Sequence, residues 1–388
     1  MFSRCKLPAI CLLSLFSLAL SGCAALRRPA PAISDDMDVD SLRAAVQYSI
    51  DYLQKLPPER VVGAQPRPFT ARQILDSLGA FQQLLADWQC AACFARAVSA
   101  RFELVPSSSD AALSDVLFTG YYQVIIDGSL VPTERFRFPI YAKPPDLISA
   151  DKVTLSPQVA EEKIFGRVEG EEFLPYYTRR QIDEEGVLRG RGLEIAWVAD
   201  PIELFFLHIQ GSGIIRLPDG SGLSVGYAAQ NGWPYRSIGR LLIDTGKLTK
   251  EEMSMQRLRR YLRENPREQS EILDYNQSYI FFRVNSSGAM GSLEVPVTAG
   301  RSVATDFRLF PKGALALVNT EIPIVDAAGQ LTGWQPVTRF MLNQDTGGAI
   351  RGAQRADIYF GAGETAASMA GYMNRHGRIF FLVLRDSD

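Results

Sequence analysis

The sequence predicts a mainly β protein, a sandwich or barrel with helical decoration, on three observations. Beyond Arg101 the chain breaks into short alternating or apolar runs such as "VLFTGYYQVII", "FRFPIYA", "LEIAWVA", "YIFFRV", "ALALVN" and "RIFFLVL". Gly, Pro, Asn and Asp punctuate these runs, the pattern of strands joined by turns. The 388 residues are 46% hydrophobic, 10% aromatic and 22% charged, enough apolar material for one large or two medium domains.

At the start, Arg4 and Lys6 lead an apolar run that closes in small residues, so residues 1–22 read as a secretory signal. The run is too short to span a bilayer. Leu20, Ser21, Gly22 and Cys23 resemble a bacterial lipoprotein cleavage box, which makes Cys23 the lipidated first residue of the mature chain. Ala24 follows it rather than an Asp, and this favours the periplasmic face of the outer membrane of a Gram-negative cell. Without the signal, 39 basic residues face 43 acidic ones, about −4, which leaves no electrostatic footprint for nucleic acid.

Residues 23–35, with "RRPAPAIS", form a polar, Pro-containing tether. Leu42, Ala45, Val46, Ile50 and Leu53 then recur at helical spacing until Pro57 and Pro58 stop the pattern. A second helix starts at Thr70 and runs towards Phe94. Cys90 and Cys93, the two cysteines left besides Cys23, are expected on its face in an oxidising compartment, because a thioredoxin-like site would follow a strand. A helix is also expected at "TKEEMSMQRLRRYLREN", where Thr249 and Glu252 have capping-box spacing, and another over residues 364–375, with Gly377 as its C-cap. The acidic "AEEKIFGRVEGEE" reads as a solvated loop.

Familiar catalytic patterns fail on their spacing. "DTG" at Asp345 occurs once, whereas aspartic-protease chemistry needs two such aspartates sharing a proton. "GAGETA" opens a helix but leaves no room for the second strand of a dinucleotide fold. With only His208 and His376, no G-x-S-x-G elbow and no Cys/His cluster, neither a serine triad nor a zinc site is expected, and no cofactor or metal is required. Carboxylate chemistry remains. In "RADIYF" the alternation of a strand puts Asp357 and Tyr359 on one face and Ala356, Ile358 and Phe360 on the other, so an apolar face anchors the strand that carries the acid.

"FTGYYQ", "IQGSGIIRLPDG", "VGYAAQNGWPYRSIGRLLIDTG", "MSMQRLRRYL", "VPVTAGRSVATD" and "QDTGGAIRGAQRADIYFGAG" occur in this order and closely resemble the membrane-bound lytic murein transglycosylase A family. The resemblance spans almost the whole mature chain. It implies a double-psi β-barrel domain made from residues 36–124 and 286–388, a smaller inserted β domain over residues 125–285, and a glycan groove between them. It further implies that Asp306, Asp345 and Asp357 are the three signature aspartates, with Asp357 the catalytic acid and the other two supporting it. Arg351 stands where many relatives carry Lys, and the length between Asp345 and Asp357 varies in the family.

The activity implied is cleavage of the β-1,4 bond between N-acetylmuramic acid and N-acetylglucosamine, with closure of a 1,6-anhydro ring. One carboxyl suffices, because the attacking C6 hydroxyl belongs to the substrate. Asp357 would give and retrieve the proton, with Asp345 and Asp306 setting its electrostatic surroundings. Groove candidates are Thr119, Gly120, Tyr121, Tyr122, Gln210, Gly211, Ser212, Gly213, Asn231, Trp233, Gly347, Gly348 and Tyr359. Expected partners are peptidoglycan strands, the membrane through the lipid, and cell-wall synthesis or hydrolysis complexes. The alternative is a lipid-anchored peptidoglycan-binding scaffold without turnover.

Overall fold

A computed structural model describes residues 31–108, 115–152, 162–285, 288–348 and 350–385. The expected signal sequence and Cys23 lie outside these residues. The strand Val116–Ser129 organises the molecule. Its first half pairs in parallel with Arg355–Ala362, which pairs with Ser302–Ala304, then Leu331–Asp345, Leu315–Val325 and Asn374–Leu384. Residues 374–377 return to pair with residues 116–119, so the six strands form a ring. This is a double-psi β-barrel, with parallel pairing where Ser302–Ala304 meets Leu331–Asp345 and where Val116–Ser129 meets Arg355–Ala362.

At Gln123 and Val124 the same strand changes partners. From Val124 onwards it pairs with Ser212–Arg216, which continues through Gly222–Gln230 to Ile280–Val284, and its end pairs with Glu194–Val198. The core changes with the pairing. Phe118 belongs to the barrel core, while Tyr122, Val124 and Ile126 pack on Leu204, Leu207 and Ile215. The helices Pro201–Gln210, Ile238–Asp244, Met255–Glu264 and Gln269–Tyr275 form a further apolar cluster outside this sheet.

Helix Val39–Leu53 buries Leu42, Ala45, Val46, Ile50 and Leu53, the stripe its periodicity requires. Its approach is fixed: Asp35 forms a bidentate ion pair with Arg301, and Asp36 pairs with Arg339. The tether of residues 23–35 therefore ends before Asp35, whose side chain is buried against the barrel.

Several expected elements differ. Thr70 and Gln73 make a full capping box, but the helix ends at Leu84, passes through a tight turn and restarts as Ala91–Arg101. Cys90 is the N-cap of that new helix and is disulfide-bonded to Cys93, so the pair lies at a helix start rather than on a helix face. Thr249 and Glu252 do exchange capping bonds, yet these close a turn, and Ser254 caps the helix Met255–Glu264. The last helix is Gly363–Tyr372, shorter than expected, because residues 374 onwards are claimed by strand pairing. Gly377 is no cap: a Cβ there would lie 2.3 Å from the Asn319 carbonyl oxygen, so the residue permits close strand packing. The acidic "AEEKIFGRVEGEE" supplies strands Glu162–Glu169 and Glu172–Leu174 of a three-stranded sheet instead of a loop.

Candidate active site

Strand Arg355–Ala362 carries the acid as its alternation demands. Ala356 and Ile358 are buried in the barrel core, and Asp357 points to the other face, its side chain 14% exposed. Its Oδ1 accepts a hydrogen bond from the Thr119 hydroxyl at 2.5 Å and one from Arg355 Nε at 3.3 Å. Arg355 Nη2 also reaches the Thr119 oxygen at 3.3 Å, closing a triangle around Oδ1. Among the described residues, Oδ2 receives no hydrogen bond. One oxygen of the carboxyl is held and the other is available.

Ala304 pairs with Asp345 on one side and Asp357 on the other, and Asp357 pairs with Thr119. These four residues form one row across the sheet. At normal strand spacing the backbones of Asp345 and Asp357 are about 10 Å apart. The space near them holds Tyr121 and Tyr359, whose rings lie 5.1 Å apart between centroids. Burial, reinforced by the Asp345 carboxylate, raises the Tyr359 phenol to about 12 and pushes the Tyr121 phenol upwards too. The Tyr121 hydroxyl lies near Asp345 without completing a hydrogen bond of good geometry.

Asp345 itself is raised above the usual carboxylate range by burial, against the opposing pull of the Ser292 and Thr346 amides. Both amides donate to its Oδ1, at 2.9 and 2.8 Å. Asp306 has a different environment. Its carboxylate accepts from Arg308 Nε and Nη2 and from the Gly352 amide at 2.9 Å. Burial would raise it, but these partners hold it below the ordinary value. Asp306 therefore pins the loop between Asp345 and Asp357. Asp306 is ion-paired with Arg308, and the charged group touching Asp357 is Arg355.

The groove candidates separate by face. Thr119 and Tyr121 share the face of Asp357. Gly120 faces the opposite way, where a Cβ would meet the backbone of Ala370 at 2.7 Å, so it makes room for a helix and not for a sugar. Tyr122 is buried in the second core, with its hydroxyl held by Arg259 at 2.7 Å. Gln210 accepts from the Tyr122 amide, Gly211 ends a helix at φ +75°, and Gly213 allows close contact with Leu207 and Val124. Ser212 is a partly exposed position of the strand beside them.

Asn231 is fully buried and saturated: its amide donates to the Tyr177 and Gln277 carbonyls, and its oxygen accepts from Tyr279 and Trp233. It ties loops together and has no capacity for a ligand. Trp233 spends its indole N–H on the Tyr176 carbonyl and keeps part of its ring exposed. Gly347 and Gly348 lie in the turn after Asp345, Gly348 exposed.

One residue joins the site from outside the expected set, and a second lies within its electrostatic reach. Arg355 is two positions from Asp357 and hence on its face, a relation the alternation already contained. Tyr235 comes from the loop after Gly222–Gln230. It is 41% exposed, yet burial raises its phenol while Ser237 and the Arg355 guanidinium pull it down.

The six-stranded ring, with Asp345 and Asp357 in one row and Asp306 pinning the loop between them, defines a double-psi barrel protein with a carboxylate cluster on one face of its sheet. Residues 117–283 match the family model described as the MltA specific insert domain, and residues 301–383 match the 3D domain. The chain belongs to the membrane-bound lytic murein transglycosylase A family. It is 35% identical over 271 residues to the protein of that name from Escherichia coli K12, covering 69% of this chain and 66%, just under two thirds, of the relative. The Vibrio cholerae protein is 30% identical, covering 70% of this chain and 67% of its own. Among solved structures, a membrane-bound lytic murein transglycosylase from Agrobacterium tumefaciens aligns with TM-score 0.73 at 32% identity, covering 89% of this chain and 92% of that one. E. coli MltA with bound chitohexaose aligns with TM-score 0.66 at 27% identity, covering 92% and 94%.

Proposed function

We propose that this protein is a lytic transglycosylase that cleaves peptidoglycan between N-acetylmuramic acid and N-acetylglucosamine. The observation that carries the reading is the asymmetry of the Asp357 carboxyl, with Oδ1 held by Thr119 and Arg355 and Oδ2 left open. Oδ2 gives its proton to the glycosidic oxygen as the bond to C1 breaks. The same oxygen then takes the proton of the C6 hydroxyl as that oxygen bonds to C1 and closes the anhydro ring. Water is not a reactant.

A hydrolase would need a second carboxylate as nucleophile or as base for water. Asp306 is committed to Arg308 and the Gly352 amide, and Asp345 is tied through Oδ1 to the Ser292 and Thr346 amides, so we assign both to support rather than to activating a water. Their role is to hold the loops around the site. The E. coli relative with bound chitohexaose, a β-1,4-linked amino-sugar chain, supports a glycan groove here. The two walls are the barrel, residues 36–124 and 286–388, and the inserted domain, residues 125–285. A lipid on Cys23 holds the enzyme at the periplasmic face of the outer membrane, within reach of the wall and of cell-wall complexes. No described helix is long and apolar enough to cross a membrane.

Mass spectrometry of digested peptidoglycan tests the reaction. Chain ends carrying 1,6-anhydromuramic acid are expected; reducing-end muramic acid as the main product would replace this mechanism with hydrolysis. Binding without any product would favour the scaffold reading.

A further inference from the structure

We propose that Arg355 is a positioning residue, which together with Thr119 locks the Asp357 carboxyl so that Oδ2, and not Oδ1, meets the glycosidic oxygen. The inference rests on the catalytic reading of Asp357. A carboxyl on a strand has a broad, roughly two-fold freedom about its last torsion, so either oxygen could face the groove. Here that freedom is restricted by two donors converging on one oxygen, 2.5 Å from the Thr119 hydroxyl and 3.3 Å from Arg355 Nε.

The triangle comes from three strand positions. Asp357 pairs with Thr119 in parallel register, and Arg355 pairs with Leu117 two residues earlier on the same two strands. Asp357, Thr119 and Arg355 therefore project to one face, and the third side of the triangle is the Arg355 Nη2 contact with the Thr119 oxygen at 3.3 Å. The hydroxyl hydrogen is directed to Asp357, because the Thr119 oxygen must accept from a guanidinium that can only donate. The cation thus fixes the polarity of Thr119, and Thr119 fixes the orientation of the acid. The Arg355 side chain is 35% exposed, so it holds Asp357 while remaining accessible to solvent.

The consequence is a kinetic signature that simple loss of packing does not produce. Misplacing a reacting group by about 1 Å costs on the order of 10²-fold in turnover without weakening the binding of distant sugars. Arg355→Met and Thr119→Val should each lower kcat by about 10- to 10²-fold with KM within about twofold. The double variant should be little worse than either single one, because both break the same triangle. Thr119→Ser should restore most of the rate, and Arg355→Lys part of it, since a lysine supplies one donor without the planar fork.

These variants are to be assayed on isolated peptidoglycan beside Asp357→Asn, with thermal unfolding recorded for each. An inactive Asp357→Asn beside a fully active Arg355→Met would overturn the positioning role and leave the catalytic reading standing. Full activity in Asp357→Asn would remove the reading on which the inference rests. A rise in KM alone, or strictly additive losses in the double variant, would instead make Arg355 a binding or independent residue and overturn the proposal.

Discussion

Asp345 and Asp357 occupy one row of the barrel sheet, two strands apart, with Ala304 paired to both. The row brings the two acids to one face, but it gives them unlike partners. Asp345 is held through Oδ1 by two backbone amides, those of Ser292 and Thr346, whereas Asp357 is held through Oδ1 by a hydroxyl, Thr119, and a guanidinium, Arg355.

The first prediction follows from that difference. Asp357→Asn preserves shape but removes the exchangeable proton, so turnover should fall about 10²-fold or more while glycan binding and folding survive. Asp345→Asn should cost less in rate. Its effect should appear in stability against pH: a carboxylate raised by burial stabilises most below the ordinary carboxylate range and loses that contribution as pH rises through its raised value. Unfolding of Asp345→Asn should therefore depend less on pH over the weakly acidic range. Equal rate losses in the two variants would show that the row, and not Asp357 alone, performs the chemistry.

The second prediction concerns the approach from the tether. Arg301 is fully buried, Asp35 lies against it at 2.6 and 2.9 Å, and the Asp35 carboxylate also accepts from the Phe340 amide. Removing Asp35 leaves a buried guanidinium that keeps hydrogen bonds to Ser41, Asp38 and Phe340 but loses its ion pair, so Asp35→Ala should destabilise by about 3–5 kcal/mol. A protein beginning at Ser34 retains this contact, and one beginning at Val39 loses it. Urea unfolding should separate the two by a comparable amount; a difference below about 1 kcal/mol, the scale of an exposed pair, would mean that the latch carries little.

These two regions also mark what the sequence makes legible. The helix Val39–Leu53 and the strand Arg355–Ala362 follow from period alone, because one face of each meets a core. Arg355 follows from the same alternation as Asp357. Asn231 is beyond such reasoning: an amide in a quoted motif looks like a sugar ligand until Tyr177, Gln277, Tyr279 and Trp233 are seen to saturate it. Tyr122 is similar, since the strand that carries it passes from one core to another at that point. The end of the last helix is set by the pairing of residues 374–377 with residues 116–119, a contact of about 250 positions' separation that no local propensity encodes.

The third prediction lies in the inserted region. Asp274 on helix Gln269–Tyr275 is raised to about 7, first by burial and then by Glu184 and Asp183, with Arg179 opposing. Its folded value is above the unfolded one, so its contribution to stability is complete below about pH 4 and is lost as pH rises through about 7. Asp274→Asn removes this cost of ionisation. Thermal melts should show the variant gaining on the parent protein between pH 4.5 and 8; a constant difference would assign the titration elsewhere in the cluster.

The fourth prediction concerns Tyr235 and the second wall proposed for the groove. Tyr235 is 41% exposed, and its phenol lies within electrostatic reach of Arg355. Its exposed ring offers a sugar of the proposed glycan path a flat apolar face to rest on. The stacking energy of an aromatic face, about 0.5–1.5 kcal/mol, corresponds to up to about tenfold in affinity. Tyr235→Ala should therefore raise KM on glycan strands by about that factor, with kcat nearly unchanged because no reacting atom is touched. Tyr235→Phe keeps the face and should behave like the parent protein. If Tyr235→Phe loses as much as Tyr235→Ala, the hydroxyl is the contact that matters; if neither alters KM, the glycan takes a path that leaves Tyr235 aside.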